Sequence, residues 1–379
     1  MNISRKEFFS IFGKSILGFS MLNPYFKNIL ANSSTKSKGF SMIEVKIKRL
    51  ELAHTWTISR NSSDFKDNVF VKLQRDGIIG YGEAAPNVRY GENADLTIKR
   101  IAEVKDSFSK YDLFHYMDIK DFLDQKITDQ SCAKAALDMA LMDWIGKALK
   151  VPLYKLWGLN TAHSPLTSFS IGIDTPEVLR EKVKEAESFP ILKIKVGTKD
   201  DEMIINTIRS MTTKPIRVDA NEGWKTKEEA LEKIQWLKSQ GVEFIEQPLP
   251  ASMLAETAWL RERIDLPIIA DEAVKNAADI PRLAEAYDGI NIKLMKAGGV
   301  LEALRMIYMA KALRLKIMLG CMIESSVAIS AAAHLAPLVD WADLDGNLLI
   351  KNDPFQGVKV DKGRLIYNQK PGLGVEGNF

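Results

Sequence analysis

Two cysteines and four histidines in 379 residues leave little room for thiol or soft-metal chemistry. Cys132 and Cys321 form no Cys-x-x-Cys pair, so a disulfide framework and a redox couple are excluded. His54, His115, His163 and His334 lie far apart in sequence, which gives poor support to a zinc cluster or a histidine-based triad. No run of like charge crosses the body of the chain. No basic stripe carries interleaved aromatics, so nucleic acid is not an expected partner. Nor is any apolar run long and unbroken enough for stable membrane insertion.

The charge imbalance that exists sits at the N-terminus. Residues 1–38 hold six Lys/Arg and one acid, leaving 46 basic and 48 acidic residues for the rest. Ser4-Arg5-Lys6 precedes Phe8-Phe9 and an apolar stretch, Ile16 to Leu22, which Gly18 and Ser20 interrupt. A polar tract from Asn32 to Gly39 follows. This resembles a bacterial export signal, and Ser-Arg-Lys before Phe-Phe resembles a twin-arginine motif with Lys replacing one Arg. An exported, periplasmic protein is expected. A cytoplasmic protein with a disordered extension is the alternative. Residues 1–42 are set apart from the fold.

Residues 43–166 read as a small α+β domain. Ile43–Leu52, Val69–Gln74 and Ile78–Ala84 are strand-like, and Asp76-Gly77 marks a hairpin between the last two. Ala94–Ser109 and Ser131–Leu149 carry apolar residues at helical spacing, with Ser131 placed to cap the second helix. From Thr167 strands and helices alternate. Eight strand candidates follow: Ser168–Ile173, Ile191–Val196, Ile216–Ala220, Phe244–Gln247, Ile268–Asp271, Gly289–Lys293, Lys316–Leu319 and Trp341–Asp345. Thr175-Pro176 opens one intervening helix, and Thr226 with Glu229 opens another as a capping box. The last strand has no clear helix after it. The expected fold is α/β, a (β/α) TIM-type barrel over 167–346. An N-terminal α+β capping domain covers it, and the tail, 347–379, completes that domain.

Charged residues punctuate the barrel. Lys195, Asp219, Glu246, Asp271 and Lys293 end successive strands at gaps of 24, 27, 25 and 22 residues. Barrel active sites lie at that end of the strands. Lys193 and Lys195 are two apart and share a face, while Leu192 and Ile194 suit the helix layer, so both lysines face inward. Three convergent carboxylates repel one another unless a cation sits between them. Oxygen ligands without nearby His or Cys suit Mg²⁺. A substrate carboxylate on that metal has a more acidic α-hydrogen. Lys195 and Lys293, on opposite sides of the barrel, can remove the proton and return it on the other face. The base must be neutral when it takes the proton.

Lys193-Ile194-Lys195, Asp219-Ala220-Asn221, Glu246-Gln247-Pro248, Asp271-Glu272 and Asn291-Ile292-Lys293 resemble the motifs of the enolase superfamily, muconate-lactonizing subgroup. The resemblance covers residues 43 to about 375 and is strongest to the dipeptide epimerases. It implies Mg²⁺ on Asp219, Glu246 and Asp271, and Lys195 and Lys293 as acid–base pair. The mandelate-racemase subgroup would carry a His after the seventh strand, where this chain has Gly320-Cys321-Met322-Ile323-Glu324-Ser325. Asp343-Leu344-Asp345 puts two carboxylates on one face, and the resemblance assigns them to a dipeptide's α-ammonium. Arg60, Tyr90, Met322, Ile323 and Glu324 are expected around the substrate. Arg60 suits an acidic side chain, while Trp56 and Ile58 suit an apolar one. Glu324 can hydrogen-bond Lys293 or cap the helix beside Ser325 and Ser326. The expected activity is epimerisation of L-Ala-D/L-Xaa dipeptides, in cell-wall peptide turnover, by a homo-oligomer. N-succinylamino acid racemisation and o-succinylbenzoate synthesis are the alternatives within the subgroup. A non-catalytic binding protein on a barrel is the alternative outside it.

Overall fold

Period-two alternation builds the first layer. The computed structural model describes residues 41–379, so the export-like segment lies outside the described residues, apart from its last two positions. Strands β1 (Met42–Thr57), β2 (Ser62–Arg75) and β3 (Ile78–Ala84) form an antiparallel sheet in that order. Asp76 and Gly77 both have positive φ, 50° and 76°, as the predicted two-residue hairpin requires. β1 and β2 run past the sequence-predicted ends, because polar residues keep pairing beyond a register shift between Glu51 and Trp56. That extension carries the Trp56–Arg60 segment to the barrel mouth.

Helix α1 (Ala94–Phe108) starts on an Asn93 cap, and α2 (Tyr116–Lys126) forms where no helix was expected. Helix α3 (Ser131–Ala148) lies directly on β3. A Cβ at Gly80 or Gly82 would come within 2.1 or 1.9 Å of its carbonyls, so only glycine permits this approach. The expected cap fails here: Ser131 is the first helical residue, and Gln130 holds the cap position without a side-chain bond. At Thr226 half the expected box forms. Its side chain accepts from Glu229 N, but Glu229 reaches Lys225 N instead.

Eight parallel strands follow: β4 (Phe169–Ile171), β5 (Leu192–Lys195), β6 (Ile216–Asp219), β7 (Val242–Glu246), β8 (Ile268–Ala270), β9 (Gly289–Lys293), β10 (Lys316–Gly320) and β11 (Trp341–Asp343). A Thr167–Ala342 bridge, with Ser168 N donating to Ala342 O at 3.2 Å, closes first strand onto last. Leu192, Ile194 and Val218 are fully buried in the shared core of the fold. Phe244, Ile269 and Met318 form a separate apolar plug, with Trp341 against it. Each of the first two is two residues before an acid, Glu246 and Asp271, so the plug is the floor on which the polar layer stands. Among the described residues no α-helix follows β11, and a single 3₁₀ turn, Gly346–Leu348, stands in its place. The chain returns to the first sheet, where Ile350 bridges Leu52 and Phe355 stacks on Phe70 at 5.7 Å. No helix among the described residues is long and apolar enough to cross a membrane.

Sheet and barrel are joined by a buried carboxylate. Glu83, at the end of β3, accepts from Ser325 N (2.8 Å), Ser325 Oγ (2.6 Å), Ala328 N (3.2 Å) and Asn68 Nδ2 (2.8 Å). It thereby caps helix α4 (Ser326–Ala333), whose own cap is Ser325. Burial outweighs these donors and pushes its pKa up to about 7. Replacing Glu83 by Ala strands buried donors on both sides. We expect Glu83→Ala to lower unfolding free energy by about 2–4 kcal/mol in urea denaturation. Because the folded pKa is raised above the ordinary carboxylate value, its ionisation opposes folding. Wild-type stability should therefore fall as pH rises from about 4.5 to about 7, less steeply in Glu83→Gln.

Candidate active site

Parallel register puts the charged residues at one level. Lys195 is opposite Asp219, Asp219 opposite Glu246, and Gly320 sits between Lys293 and Asp343. An oxygen from each of Asp219, Glu246 and Asp271 lies within 4.8 Å of the others. All three acids are essentially unexposed, and Lys193, Lys195 and Lys293 are at most 6% exposed. The strand alternation therefore turned both β5 lysines inward, as their spacing predicted.

Each carboxylate has one oxygen fixed by a neighbour and the other facing an ammonium. Asp219 Oδ1 accepts from Asn221 N at 2.9 Å, while Oδ2 pairs with Lys195 Nζ at 2.6 Å. Glu246 Oε1 accepts from Asn291 Nδ2 at 2.7 Å. Its Oε2 has Lys193 Nζ at 2.7 Å as an ion pair but no hydrogen-bond partner. Asp271 Oδ2 pairs with Lys293 Nζ at 2.8 Å, and its Oδ1 with Lys296 Nζ. Asn291 reaches Glu246 only because residue 320 is glycine, since a Cβ there would stand 2.6 Å from Asn291 Oδ1. Gln247 Oε1 accepts from Asp271 N and Ala273 N, at 3.0 and 3.1 Å, and so fixes the turn after β8.

The electrostatics follow from this crowding. Burial alone would raise Asp219 and Asp271, but the lysines outweigh it and hold both below the usual carboxylate range, Asp271 well below. Burial and the Asp219 charge push Glu246 up to about 7. Burial would likewise lower Lys193 and Lys293, yet the acids hold both above the ordinary ammonium value. The donor set fits a hard divalent cation. It is all carboxylate oxygen, buried, close-spaced, and includes one oxygen without a hydrogen bond.

A cavity of about 300 Å³ opens above these residues, lined by Trp56, Ile58, Arg60, Tyr90, Met322, Ile323, Asp343 and Asp345 among others. The eighth-strand aspartates are both buried but unlike. Asp343 pairs with Lys193 at 2.7 Å and accepts from Ser168 Oγ at 2.8 Å; burial opposes this, but the lysines bring it to about 2. Among the described residues the Asp345 carboxylate has only Ser170, through N at 2.6 Å and Oγ at 3.4 Å, and burial with the Asp343 charge lifts it to about 7.

The structure brings most expected residues together and moves two from their expected surroundings. Arg60 does line the cavity, but its guanidinium is already engaged by Glu272 Oε1 (2.6 Å), Glu222 Oε2 (3.1 Å) and Asn221 O (2.5 Å). Arg89 holds both oxygens of Glu222, so the two loops are strapped onto the barrel. Glu324 bonds neither Lys293 nor the helix end. Its Oε1 accepts from Met322 N at 2.8 Å, and burial with the Glu83 charge raises it to about 8. Two participants were not expected from sequence, Lys296 and Ser170, and Asn291 stood there only as part of the Asn291-Ile292-Lys293 motif, without a role of its own. Lys296 follows Lys293 by three residues, one helical turn, which brings it back over Asp271. That spacing was the available signal.

Two family models match the chain: Enolase C-terminal domain-like over residues 177–378, and Mandelate racemase / muconate lactonizing enzyme, N-terminal domain, over residues 42–158. The L-Ala-D/L-Glu epimerase of Bacteroides thetaiotaomicron is 46% identical over 328 residues, 86% of this chain and 85% of that protein. A dipeptide epimerase from Enterococcus faecalis V583, solved with Mg and L-Leu-L-Tyr, superposes with a TM-score of 0.84 at 31% identity. The match covers 89% of this chain and 99% of that one. The N-succinyl Arg/Lys racemase of Bacillus cereus has a TM-score of 0.85 at 31% identity, covering 90% and 96%.

Mg²⁺ binding should depend on the acids and on the residues that orient them. In titration calorimetry Asp271→Asn should abolish measurable binding. Lys296→Met, which frees Asp271 Oδ1, should weaken it about 10- to 100-fold.

Proposed function

The chain belongs to the mandelate racemase / muconate lactonizing enzyme family of the enolase superfamily, and from that premise we propose how its site works on a dipeptide. The protein is a Mg²⁺-dependent dipeptide epimerase that inverts the α-carbon of the C-terminal residue. The observation that carries the reading is the opposition of two lysines across three carboxylates. β5 and β9 are four strands apart in an eight-stranded barrel, so Lys195 and Lys293 approach from opposite sides.

Asp219, Glu246 and Asp271 would hold Mg²⁺, which when bound would supply the positive charge that makes the α-hydrogen of a substrate carboxylate acidic. One lysine, neutral, takes that proton at Nζ. The other, as an ammonium, delivers one to the opposite face. Lys193 remains protonated beside Glu246 and Asp343 and faces the charge that develops as the proton leaves. At the far end Asp343 is occupied by Lys193, so Asp345 is the carboxylate left to receive the substrate ammonium. An N-succinyl group would bring a carboxylate to the same place, against two acids. This favours dipeptides over the racemase alternative.

We place the activity in cell-wall peptide turnover, supported by the D-configured residue of an L-Ala-D/L-Xaa product. Tyr308, 58% exposed, and exposed Met309 on the helix Val300–Ala312, with exposed Leu313 just past its end, make an apolar patch that supports a homo-oligomer. The sequence of residues 1–42 supports export. Light scattering and cell fractionation check these two points.

In D₂O with Mg²⁺, the C-terminal residue of L-Ala-Xaa dipeptides should exchange its α-hydrogen. Lys195→Met and Lys293→Met should each abolish epimerisation, while each retains exchange from one epimer only. Exchange from both epimers in either variant refutes the two-base assignment. The ammonium pairs with ionised Asp345, so kcat/KM should rise with pH through about 7. Asp345→Asn should remove that inflection and cost roughly 10- to 100-fold.

A further inference from the structure

Five cations line the cavity, and among the described residues four are paired with acids. Lys195 and Lys293 hold Asp219 and Asp271, and Arg60 and Arg89 are taken by Glu222 and Glu272. Lys66 is the fifth. Its pKa is lowered by burial, and no acid offsets that. Lys66 is two residues before Asn68 on β2, so both side chains leave the same face of the sheet. Asn68 Nδ2 donates to Ile323 O at 3.1 Å, which fixes that face over the loop following β10. Lys66 therefore stands in the roof of the cavity as a half-buried ammonium without a counter-ion.

The geometry points to Lys66 as the residue that selects the substrate side chain, and to dipeptides ending in an acidic residue as the preferred class. This rests on the dipeptide reading above. The epimerised carbon has four arms. Its carboxylate goes to the metal ligands at the barrel floor, its amide leads toward Asp345, and its hydrogen meets a lysine at the side. The side chain is left to rise toward the roof. There Arg60 and Arg89 are neutralised by the two glutamates, and Lys66 is the remaining positive charge. A side-chain carboxylate restores the electrostatic partner that burial denies Lys66. A neutral side chain leaves that ammonium poorly solvated, and a cationic one adds repulsion.

The test uses the full chain with Mg²⁺ and three substrates: L-Ala-L-Glu, the near-isosteric neutral L-Ala-L-Gln, and L-Ala-L-Leu. α-Hydrogen exchange in D₂O reports kcat/KM for each. Wild type should favour Glu over Gln by roughly 10- to 100-fold, the factor carried by one hydrogen bond to a charged group. Lys66→Met should collapse that ratio to within about threefold of unity, mainly through KM, and Lys66→Arg should restore most of it. The inference is overturned if wild type does not discriminate Glu from Gln, or if Lys66→Met leaves the ratio intact. A uniform loss on all three substrates in Lys66→Met also overturns it, since that is a structural effect. Absence of exchange with every dipeptide overturns instead the function on which it rests.

Discussion

Mutual repulsion among three buried carboxylates is the constraint to which the rest of the structure answers. Asp219, Glu246 and Asp271 crowd together where water cannot screen them. The protein resolves this in two ways at once. Fixed donors (Asn221 N, Asn291 Nδ2 and Lys296) hold one oxygen of each acid. Lysines face the other oxygens. The residues that balance the charge are thus also the ones positioned to move protons, so electrostatic support and catalytic equipment are one set of side chains. The closed barrel makes this possible, because only strands converging around a plug bring charges from so many parts of the chain to one level.

Strain at the strand ends serves the same purpose. Asn221, Glu222 and Gln247 adopt left-handed φ values of 47°, 63° and 38° in the turns that follow the acids of β6 and β7. Such backbone costs about 1–3 kcal/mol per residue and persists where surroundings over-determine it. Here the surroundings are visible. Gln247 bonds the turn that carries Asp271, and Glu222 receives both arginine straps from the capping loops. The strained turns aim carboxylates in two directions, one into the site and one toward its lid.

Much of this was legible in the sequence because it is periodic. The near-constant gap between charged residues implied the barrel. The two-residue spacing of Lys193 and Lys195, set against Leu192 and Ile194, implied which way they point. The aspartates of β11 were legible as a pair, but their division of labour was not, because it depends on Lys193 reaching Asp343 across 150 residues. The same reason hid the state of Arg60. Its residue type suggested a ligand for an acidic group, and only the fold shows that Glu272 and Glu222 are already there. Helix Tyr116–Lys126 escaped notice since it is short and begins without a side-chain cap. Ser131 misled because a capping residue type one position too late becomes an ordinary first-turn residue.

The carboxylate of Glu83 joins partners 242 and 245 residues apart, and the chain after β11 returns to strands some 300 positions earlier. A ribosome releases these pieces in order. The sheet of β1–β3 is made first, but within it Glu83 has Asn68 alone as a side-chain donor until Ser325 and Ala328 emerge, and its aromatic face stays bare until Phe355 arrives. Lys195, Lys293, the three buried carboxylates and the roof are all synthesised well before that point. The molecule therefore cannot become a closed, selective vessel part by part. Its competence arrives late and all at once, with the final stretch of polypeptide acting as the stitch that draws the opening shut.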